Sequence, residues 1–565
     1  MSSTKIYSSF YPDLDIKSVD LLTHIFSNPA ATAPNHPLYI DAISGKQYTY
    51  KDVSQRTKSL ANGLQQKFQL QSGEIVALFS PNTIDYAIVC HAIIGSGATV
   101  APISASLTDA ELHAQLLTGR ARFIIVHSSL LSIAQKAVQN TTIKIIVLDG
   151  PTGSDGQPTC ESMAASFPPN DLVNVPASEL ASKIAFICFS SGTSGPAKGV
   201  TITHRNMVAN LQQMRSLLVD TGLPSQRPKR QVALAFLPFS HAYGLSLYLC
   251  QSIQWGTTTI VMPKFELDLF LSCVEKYRPD ELAIVPPVAL MMVKDDRLAD
   301  YNLRSVRLIL SAAAPLGGEL ASALEVKFKK LFGTKVFCYQ AWGLTETSPL
   351  ASGTPNDRRD KRKLHVGRLA PNMQLRIVNH ETMEDVDSPQ MGEILLRGPN
   401  ITPGYFKNPE ATKAAFYRDA DGTIWFRTGD IGTIDDEGFI TLFDRIKEMI
   451  KYNGQQVIPS ELEALLLEHP DIADAAVVGQ WADDRATELP VAFVVLKNPD
   501  LASQESSSRT VTEMHSWINP RVANYKRLRG GIRFVKEIPK SPSGKILRRY
   551  LREQLQDSKK PKANL

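Results

Sequence analysis

The sequence predicts an α/β fold, with a large N-terminal domain of layered α/β subdomains and a small mobile α+β domain at the C-terminal end. At 565 residues the chain is longer than one hydrophobic core normally serves, so several structural units are expected. Short apolar runs also alternate with amphipathic stretches, which is typical of sheets whose strands are buried on both faces. The predicted strands span residues 75–79, 99–103, 123–126, 143–148, 184–189, 258–262 and 282–285.

The pattern changes after about residue 444. A helix start at Pro459-Ser460-Glu461 is followed by an amphipathic stretch from Val511 and by predicted strands at 475–478, 491–496 and 532–535. This unit has the size of a small α+β domain. We therefore predict a large domain over residues 1–444, a hinge at 445–448, a small domain at 449–550 and a flexible tail at 551–565. The charged segment 444–447 is expected to be exposed.

Composition excludes several classes of protein. With 43% hydrophobic and 21% charged residues, the chain is globular and not disordered or collagen-like. The net charge of +5, from 61 Lys and Arg against 56 Asp and Glu, is small for this length. It suits an enzyme that handles anions and gives no support for a nucleic-acid partner.

The six cysteines are scattered, without a CxxC pair or a neighbouring histidine cluster. A structural zinc site or a disulfide framework is therefore not expected, and a reducing compartment fits. The first residues contain no apolar segment of the kind found in signal peptides, and no apolar run reaches membrane-spanning length.

Residues 190–199, SSGTSGPAKG, predict a phosphate-binding loop after the strand 184–189. Glycines let the backbone approach a ligand, the hydroxyl side chains donate hydrogen bonds, and Lys198 supplies a positive charge. A Thr-rich helix start is predicted behind the loop, at residues 201–206. A flexible Gly/Ser linker is the alternative, but it would need neither this helix start nor the preceding buried strand.

Two better-known nucleotide loops do not fit. A Walker A loop places its lysine between a glycine and a Ser or Thr, whereas Lys198 precedes Gly199 and Val200. The sequence also has no GxGxxG in a strand–turn–helix setting, so a dinucleotide fold is not supported.

The decapeptide resembles the phosphate-binding signature of the adenylate-forming superfamily, which includes acyl-CoA synthetases, firefly luciferases and adenylation domains of peptide synthetases. Further motifs follow in family order, most like those of coumarate:CoA ligases, at residues 340–346, 426–430 and 539–545. The resemblance implies that ATP or AMP is bound by Ser190, Ser191, Gly192, Thr193, Ser194, Gly195, Lys198, Gln340, Ala341, Trp342, Gly343, Thr345, Asp430 and Arg445.

The resemblance also assigns roles in the nucleotide site. Trp342 would stack on adenine, and Asp430 would accept hydrogen bonds from the ribose hydroxyls. Glu346 would bind Mg²⁺, because a carboxylate beside polyphosphate is repelled unless a divalent cation lies between them. Thr193 is implied to be a catalytic residue together with Glu346.

The resemblance identifies Lys545 as the catalytic lysine. Its ammonium would lie between the carboxylate of the acid and the α-phosphate of ATP, two anions that repel each other strongly where water is excluded. Family members then rotate the small domain about a hinge, here Lys447, to withdraw the lysine. The rotation would present Lys451, Gly454 and Gln456 to the acyl-adenylate and coenzyme A.

The acyl pocket is implied by two further segments. His241 and Tyr243 match the His-x-Tyr segment along the tunnel for the carboxylic acid, and His241 is implied to be catalytic. Ala312 and Ala341 stand where the family usually has glycine. Each adds a methyl group at the pocket or its rim, which should change the preferred acid without abolishing activity.

The resemblance implies an acid:thiol ligase for an aryl or medium-chain carboxylic acid, with ATP, Mg²⁺ and coenzyme A. A stand-alone adenylating enzyme with another acyl acceptor and a luciferase-like oxygenase share the ATP residues and remain alternatives. An amino-acid adenylation module would normally have an acidic residue near 239–244 and a carrier domain, and neither is found. A catalytically silent scaffold would have lost motif residues that are intact here.

The final tripeptide, Ala563-Asn564-Leu565, differs from the usual peroxisomal Ser-Lys-Leu at two positions. It resembles the divergent ending of catalase, so a peroxisomal import receptor is an expected partner and a peroxisomal location is favoured over a cytoplasmic one. A monomer or a homodimer is expected.

Overall fold

The computed structural model describes residues 5–151, 156–190, 197–219, 231–355, 365–453, 455–483, 485–502, 507–541 and 544–557. Within these ranges the chain forms a large N-terminal domain built from several sheets and a small domain at the C-terminal end. The predicted α/β class is confirmed. The predicted flexible tail 551–565 begins too early, because residues 551–557 continue the helix Arg548–Asp557 and bury Leu551 and Leu555. Residues from 558 onward lie outside the described residues.

The first large sheet contains the strand that leads into the phosphate loop. Its strands are β4 (Ile75–Phe79), β5 (Thr99–Ile103), β6 (Phe123–Val126), β7 (Lys144–Val147), β8 (Ile184–Ser190) and β9 (Lys198–Thr203). Their order is β7-β6-β4-β5-β8-β9. All neighbours are parallel except β8 and β9, which are antiparallel. The three predicted runs 75–79, 99–103 and 123–126 coincide with β4, β5 and β6.

The predicted helix start at 201–206 is wrong. Residues Lys198–Thr203 form the edge strand β9, and the helix begins only at His204. The reason is that this segment pairs with a neighbouring strand. Ser190 lies opposite Lys198 in the β8–β9 pair, so residues 198–203 run antiparallel to β8 at the edge of the same sheet.

Two sheets form the rest of the layered core. A four-stranded sheet has the order β10-β11-β2-β3 and contains β2 (Pro37–Asp41), β3 (Gln47–Thr49), β10 (Val232–Ala235) and β11 (Thr258–Val261). A five-stranded sheet in chain order contains β12 (Glu281–Ile284), β13 (Leu308–Ser311), β14 (Phe337–Gly343), β15 (Leu350–Gly353) and β16 (Arg368–Leu369). β12, β13 and β14 are parallel, so their carboxyl ends meet at one edge.

A largely antiparallel sheet links the large domain to the hinge. It has the order β1-β17-β18-β20-β19, with β21 also paired to β20. Its strands are β1 (Tyr7–Ser8), β17 (Gln374–Val378), β18 (Gly392–Arg397), β19 (Phe416–Arg418), β20 (Ile424–Ile434) and β21 (Ile440–Arg445). β21 ends one residue beyond the predicted domain boundary at 444, which stays a prediction.

The small domain contains a hairpin and a three-stranded sheet. The hairpin strands are β22 (Ile450–Tyr452) and β23 (Gln455–Val457), and the sheet strands are β24 (Ile472–Ala482), β25 (Thr487–Leu496) and β26 (Gly531–Phe534). The helices Pro459–Leu467 and Ser507–Ile518 pack on one face of this sheet, and the helix Arg548–Asp557 packs on the opposite face. The amphipathic stretch predicted from Val511 begins earlier, at Ser507.

The described residues form thirteen α-helices in the large domain, followed by three in the small domain. They are α1 (Leu21–Ile25), α2 (Tyr50–Phe68), α3 (Ile84–Gly95), α4 (Asp109–Thr118), α5 (Leu131–Ala137), α6 (Cys160–Ser166), α7 (His204–Val219), α8 (Ala242–Gly244), α9 (Ser252–Trp255), α10 (Leu267–Tyr277), α11 (Pro286–Lys294), α12 (Gly318–Phe332), α13 (Pro409–Ala415), α14 (Pro459–Leu467), α15 (Ser507–Ile518) and α16 (Arg548–Asp557). A π-helical segment, Leu245–Gln251, joins α8 to α9. No helix among the described residues combines the length and apolar character that a membrane crossing requires.

All six cysteines are buried thiols.

The expected exposure of the hinge is only partly correct. Lys447 is exposed, residues 444–446 are half-buried, and Glu448 is buried at 3% exposure. Glu448 is accommodated because Arg552 of α16 lies 2.7 Å from its carboxylate.

An ion pair fixes the helix that follows Lys545. Arg548 on α16 donates to both oxygens of Glu463 on α14 at 2.7 Å, and Glu463 also accepts from the backbone N–H of Val477. Both side chains are about 10% exposed. Burial raises the pKa of Glu463, so the carboxylate depends on this partner for its charge.

We expect Arg548→Met to lower the free energy of unfolding of the small domain by about 3 to 5 kcal/mol, because Glu463 would be left buried without its cation. Arg549→Met is the matched control, since Arg549 is exposed and its pair, Glu553, is also at the surface. That control should change stability by less than about 0.5 kcal/mol. Urea denaturation monitored by tryptophan fluorescence measures both, and equal effects of the two variants would contradict the assignment.

Candidate functional site

One large cavity lies between the two domains. It has a volume of about 1690 Å³, well above the ~300–1,000 Å³ of an ordinary single-ligand site. The carboxyl ends of β13 and β14 line its floor, the β8–β9 pair lines one wall, and the segment around Lys545 closes it from the small domain. A cavity of this size has room for a nucleotide together with a second substrate.

Asp430 is the centre of a polar contact set in the wall of the cavity. It is 6% exposed and lies on β20 opposite Arg445 of β21. One carboxylate oxygen is 3.0 Å from Nε of Arg445, and the other accepts a hydrogen bond of 3.0 Å from Nε1 of Trp342. Asp430 raises the pKa of Arg445, so the guanidinium is charged at neutral pH. The structure thus brings together three predicted site residues that are far apart in the sequence.

Glu346 faces the same cavity and is held by a tyrosine. It lies in a short 3₁₀ turn, Thr345–Thr347, after β14 and is 9% exposed. The hydroxyl of Tyr405 donates to its Oε1 at 2.8 Å, and burial together with Glu346 raises the pKa of Tyr405. The ammonium of Lys198 lies 5.1 Å from the Tyr405 ring centroid. Lys198 and Glu346 therefore share one aromatic neighbour, with the cation and the carboxylate both directed at the cavity.

Lys545 reaches this cavity from the small domain. Its turn is closed by two hydrogen bonds between Ser541 and Lys545, one of them from the Lys545 N–H to the Ser541 hydroxyl at 3.1 Å. Burial, followed by the positive charge of Arg445, lowers the pKa of Lys545 to about 8. Asp430 opposes this shift. Lys545 is thus a partly desolvated cation beside the residues predicted to bind the nucleotide.

His241 lies close enough to Lys545 to be affected by its charge. Burial and then Lys545 lower the pKa of His241 to about 4, so the imidazole is neutral at physiological pH. Nδ1 accepts a hydrogen bond of 3.4 Å from the backbone N–H of Tyr243, which leaves the proton on Nε2. His241 can therefore donate a hydrogen bond to a substrate without adding a charge.

The remaining predicted site residues fall into three groups. Ser190, Ala312, Tyr243, Ala341, Gly343, Thr345 and Lys447 line the cavity. Gln340 is buried, and its side-chain oxygen accepts from the backbone N–H of Leu316, so its predicted nucleotide contact stays a prediction. Ser191, Gly192, Thr193, Ser194, Gly195 and Gly454 lie outside the described residues.

Gly343 is required by close packing. A Cβ there would lie 1.8 Å from the carbonyl oxygen of Pro349, so no other residue fits without moving that backbone. Lys451 and Gln456 face each other across the β22–β23 hairpin and are exposed. Neither lines the cavity in this domain arrangement, which is what the predicted rotation about Lys447 requires of residues that act in a later step.

Sequence reasoning missed several residues that shape the cavity. Tyr405 is 59 positions from the carboxylate it binds, and no motif marked it. Glu281 and Tyr339, whose hydroxyl donates to Glu281, also line the cavity. Glu281 stands just before the predicted strand 282–285, and Tyr339 lies outside every predicted strand. A signal did exist for Glu281, because a carboxylate at the start of an otherwise apolar buried strand needs a partner.

Comparison with known proteins agrees with this geometry. A family model for AMP-binding enzymes matches residues 26–406, and the model for their C-terminal domain matches residues 461–545. The chain is 35% identical over 566 residues to 4-coumarate–CoA ligase of Pinus taeda, covering 97% of this chain and 98% of the relative. It is 34% identical over 568 residues to 4-coumarate–CoA ligase 1 of Petroselinum crispum, covering 99% and 98%.

The solved structures support the same fold. An anthranilate CoA ligase crystallised with anthranoyl-AMP superposes with a TM-score of 0.82 at 23% identity, covering 95% of this chain and 98% of that one. The chain therefore belongs to the AMP-binding enzyme family, and within it to the ATP-dependent acyl-CoA ligases that act through an acyl-adenylate.

The pKa of Lys545 predicts a pH dependence of the first reaction step. Below about pH 8 the side chain is a cation, and above it the charge is lost. Because the family resemblance implies that this cation lies between two anions, kcat/KM for pyrophosphate release should fall as the pH rises through about 8. Lys545→Arg keeps its charge throughout this range, so it should be slower but should lack the alkaline decline. A wild-type profile that stays flat well above pH 8 would contradict the role of Lys545.

Proposed function

We propose that the protein joins a carboxylic acid to AMP at the expense of ATP, then transfers the acyl group to the thiol of coenzyme A. We further propose that the acid is an aryl or medium-chain acid with a hydroxyl group remote from its carboxylate. The first part is supported by the convergence of Lys545, Glu346 and Arg445 on one cavity, with Asp430 held behind Arg445 by an ion pair. The second part is supported by the polar lining of the acyl end of that cavity.

In the first step a carboxylate oxygen of the acid forms a bond to the α-phosphorus of ATP, and the bond to pyrophosphate breaks. The Lys545 ammonium offsets the repulsion between the two anions and stabilises the charge in the transition state. Asp430 is placed to accept from the ribose hydroxyls while Arg445 balances its charge. The neutral His241 orients the carboxylate of the acid by a hydrogen bond. Because the imidazole carries no charge, Lys545 remains the cation that contacts this carboxylate.

Glu346 fits a Mg²⁺ site. Its carboxylate is directed at the cavity, and Tyr405 fixes its orientation in the way that outer partners orient metal ligands. Magnesium, when bound there with ATP, would neutralise phosphate charge. Thr193 and the other loop residues would bind the phosphates, by their resemblance to the family signature.

In the second step the thiol of coenzyme A attacks the acyl carbon, and AMP leaves. We propose that the small domain rotates about Lys447, which withdraws Lys545 and presents Lys451, Gly454 and Gln456. The exposed position of Lys451 and Gln456 on the β22–β23 hairpin supports this. The same domain would thus serve both steps.

The acyl end of the cavity runs along the parallel strands of the five-stranded sheet. Ile284, Ser311 and Gln340 are aligned at the carboxyl ends of β12, β13 and β14, next to the predicted nucleotide residues. Glu281 lies three residues earlier on β12, which corresponds to about 10 Å along the strand. The carboxylate of Glu281 therefore lies at the far end of the pocket.

Three tyrosines surround Glu281. Tyr339 donates to its carboxylate. Tyr243 and Tyr248 also line this region, and their hydroxyls are buried without a hydrogen-bond partner among the described residues. Burial raises the pKa of Tyr248, and the charge of Glu281 adds to the shift. Burial likewise raises the pKa of Tyr243, with smaller contributions that include Glu281.

This lining selects between classes of acid. Each unpaired buried hydroxyl costs about 1 to 3 kcal/mol, and a plain fatty acid or an unsubstituted aryl acid would leave both unpaired. An acid with a second carboxylate would be repelled by Glu281. A hydroxyl group accepts from a tyrosine and donates to Glu281 at once, so it satisfies the site.

The test is a pyrophosphate-release assay with matched acids, with and without coenzyme A. Cinnamic acid is compared with 4-hydroxycinnamic acid, and hexanoic acid with 6-hydroxyhexanoic acid. We expect kcat/KM to be at least about 10-fold higher for the hydroxylated member of one pair, because each 1.4 kcal/mol of lost hydrogen bonding is tenfold. Glu281→Leu should reduce this ratio to near one by favouring the unsubstituted acid.

Glu275→Gln is the control, because Glu275 is an exposed carboxylate on α10 outside the cavity. It should leave the ratio unchanged. Equal kcat/KM within both pairs of acids would overturn the hydroxyl assignment alone. If no carboxylic acid releases pyrophosphate, the ligase itself is refuted, and if coenzyme A never accelerates turnover, another acyl acceptor is favoured.

We also propose a peroxisomal location through Ala563-Asn564-Leu565, which lies outside the described residues. The resemblance to the ending of catalase supports it. Appending Gly-Gly after Leu565 should turn a punctate fluorescent fusion diffuse, because the receptor reads a free terminal tripeptide. A fusion that stays punctate after this extension would contradict the proposal.

A further inference from the structure

Helix α11 of the large domain contacts the small domain at both of its ends. At its N-terminal end, Gly544 of the Lys545 turn packs against the helix. Gly544 has φ +80°, and a Cβ there would lie 3.1 Å from Pro287 and 3.3 Å from Val285. At its C-terminal end, Nζ of Lys294 donates to the backbone carbonyls of Ile472 at 3.1 Å and Ala473 at 2.8 Å. These carbonyls begin β24 of the small domain.

The carbonyls that Lys294 binds are at a break in the β24–β25 pair. The register shifts between Ile472 and Asp474, so Ala473 is the extra residue of a bulge and is not paired in the ladder. Bulges leave polar backbone groups available for other partners. Lys294 thus binds a feature that is specific to this edge of the small domain.

The same bulge is connected to the catalytic lysine. Asp474, the next residue, accepts from the ammonium of Lys540 at 2.5 Å. Lys540 in turn forms an isolated bridge with Ile546, on the far side of the turn that contains Lys545. A continuous series of contacts therefore runs from Lys294 through β24 and Lys540 to both ends of the Lys545 turn.

We propose that α11 is the docking surface that holds the small domain in place while the acyl-adenylate forms, and that Lys294 is a positioning residue for Lys545. Lys294 acts from the opposite end of the helix and does not touch the reacting atoms. The inference rests on the proposed two-step reaction, because only the first step needs this arrangement of the domains.

The contact is suited to being broken in each catalytic cycle. Lys294 is exposed at the surface, so water competes for its donors and the net strength of its hydrogen bonds is small. Two further cations, Lys497 and Lys540, lie near its ammonium. The contact is therefore strong enough to favour the position of the small domain in which the acyl-adenylate forms. It is also weak enough to release that domain for thioester formation.

The test separates the two half-reactions. In Lys294→Met, single-turnover formation of acyl-AMP from acid and ATP should slow by about 2- to 10-fold, because the two hydrogen bonds that are lost are weakened by solvent. Thioester formation from synthetic acyl-AMP and coenzyme A should be unchanged. Lys294→Arg should restore adenylate formation, because the guanidinium also donates to carbonyls. Lys545→Ala should abolish adenylate formation and spare the thioester step.

Lys327→Met is the matched control. Its ammonium binds the carbonyls of Val293 and Asp295 at the same end of α11, but from helix α12 inside the large domain. A purely structural effect at this helix end would slow both half-reactions, and it would do so in both variants. The selective loss in Lys294→Met alone is the expected result, and equal behaviour of the two variants would overturn the proposal.

A measurement without substrate tests the docking contact separately from the ligase assignment. Spin labels at Val326→Cys in the large domain and Asn498→Cys in the small domain report the distance between them, since both positions are exposed and the six native cysteines are buried. We expect Lys294→Met to broaden this distance distribution and Lys327→Met to leave it unchanged. An unchanged distribution in Lys294→Met refutes the docking role, whereas absence of acyl-AMP in the wild type refutes only the proposed function.

Discussion

The contact between Asp430 and Arg445 organises the rest of the site. It joins the last two strands of the large domain at the point where the chain leaves for the small domain. The carboxylate also fixes the indole of Trp342, and so ties the β14 motif to the hinge. Because Asp430 is buried and would be left without its cation if Arg445 were displaced, the position of the hinge and the shape of the nucleotide wall are set together.

The charges around the cavity are arranged by domain. Asp430 and Glu346 belong to the large domain, and Lys545 comes from the small one. Burial and then the charge of Arg445 lower the pKa of Lys545 to about 8, so the lysine is close to its point of ionisation before any anionic substrate enters. Phosphate and carboxylate groups would restore its charge, so substrate binding and the catalytic form of Lys545 support each other.

Much of the framework could be predicted from the sequence, because buried parallel strands are continuous apolar runs. Residues 75–79 and 99–103 match β4 and β5 to the residue. The threonines in residues 201–206 predict a helix start. In the structure, pairing with β8 instead extends a strand to Thr203. Tertiary pairing overrode the local signal there, as it commonly does for short segments.

The motif residues Asp430, Arg445 and Lys545 could be predicted because each carries its own local pattern. Tyr405 and the Glu281–Tyr339 pair could not, because their meaning depends on contacts between positions 59 and 58 residues apart. A tyrosine gives no sign in the sequence of which carboxylate it will meet. The specificity of the pocket is thus the part of the site that only the folded chain discloses.

The π-helical segment Leu245–Gln251 has an evolutionary consequence. It carries Tyr248 into the pocket on a turn that contains one residue more than an α-helical turn. Deleting a single residue would regularise the helix and rotate the following side chains by about 100°. A related enzyme could therefore acquire a different acid by a change in length here, while every residue that handles ATP stayed the same.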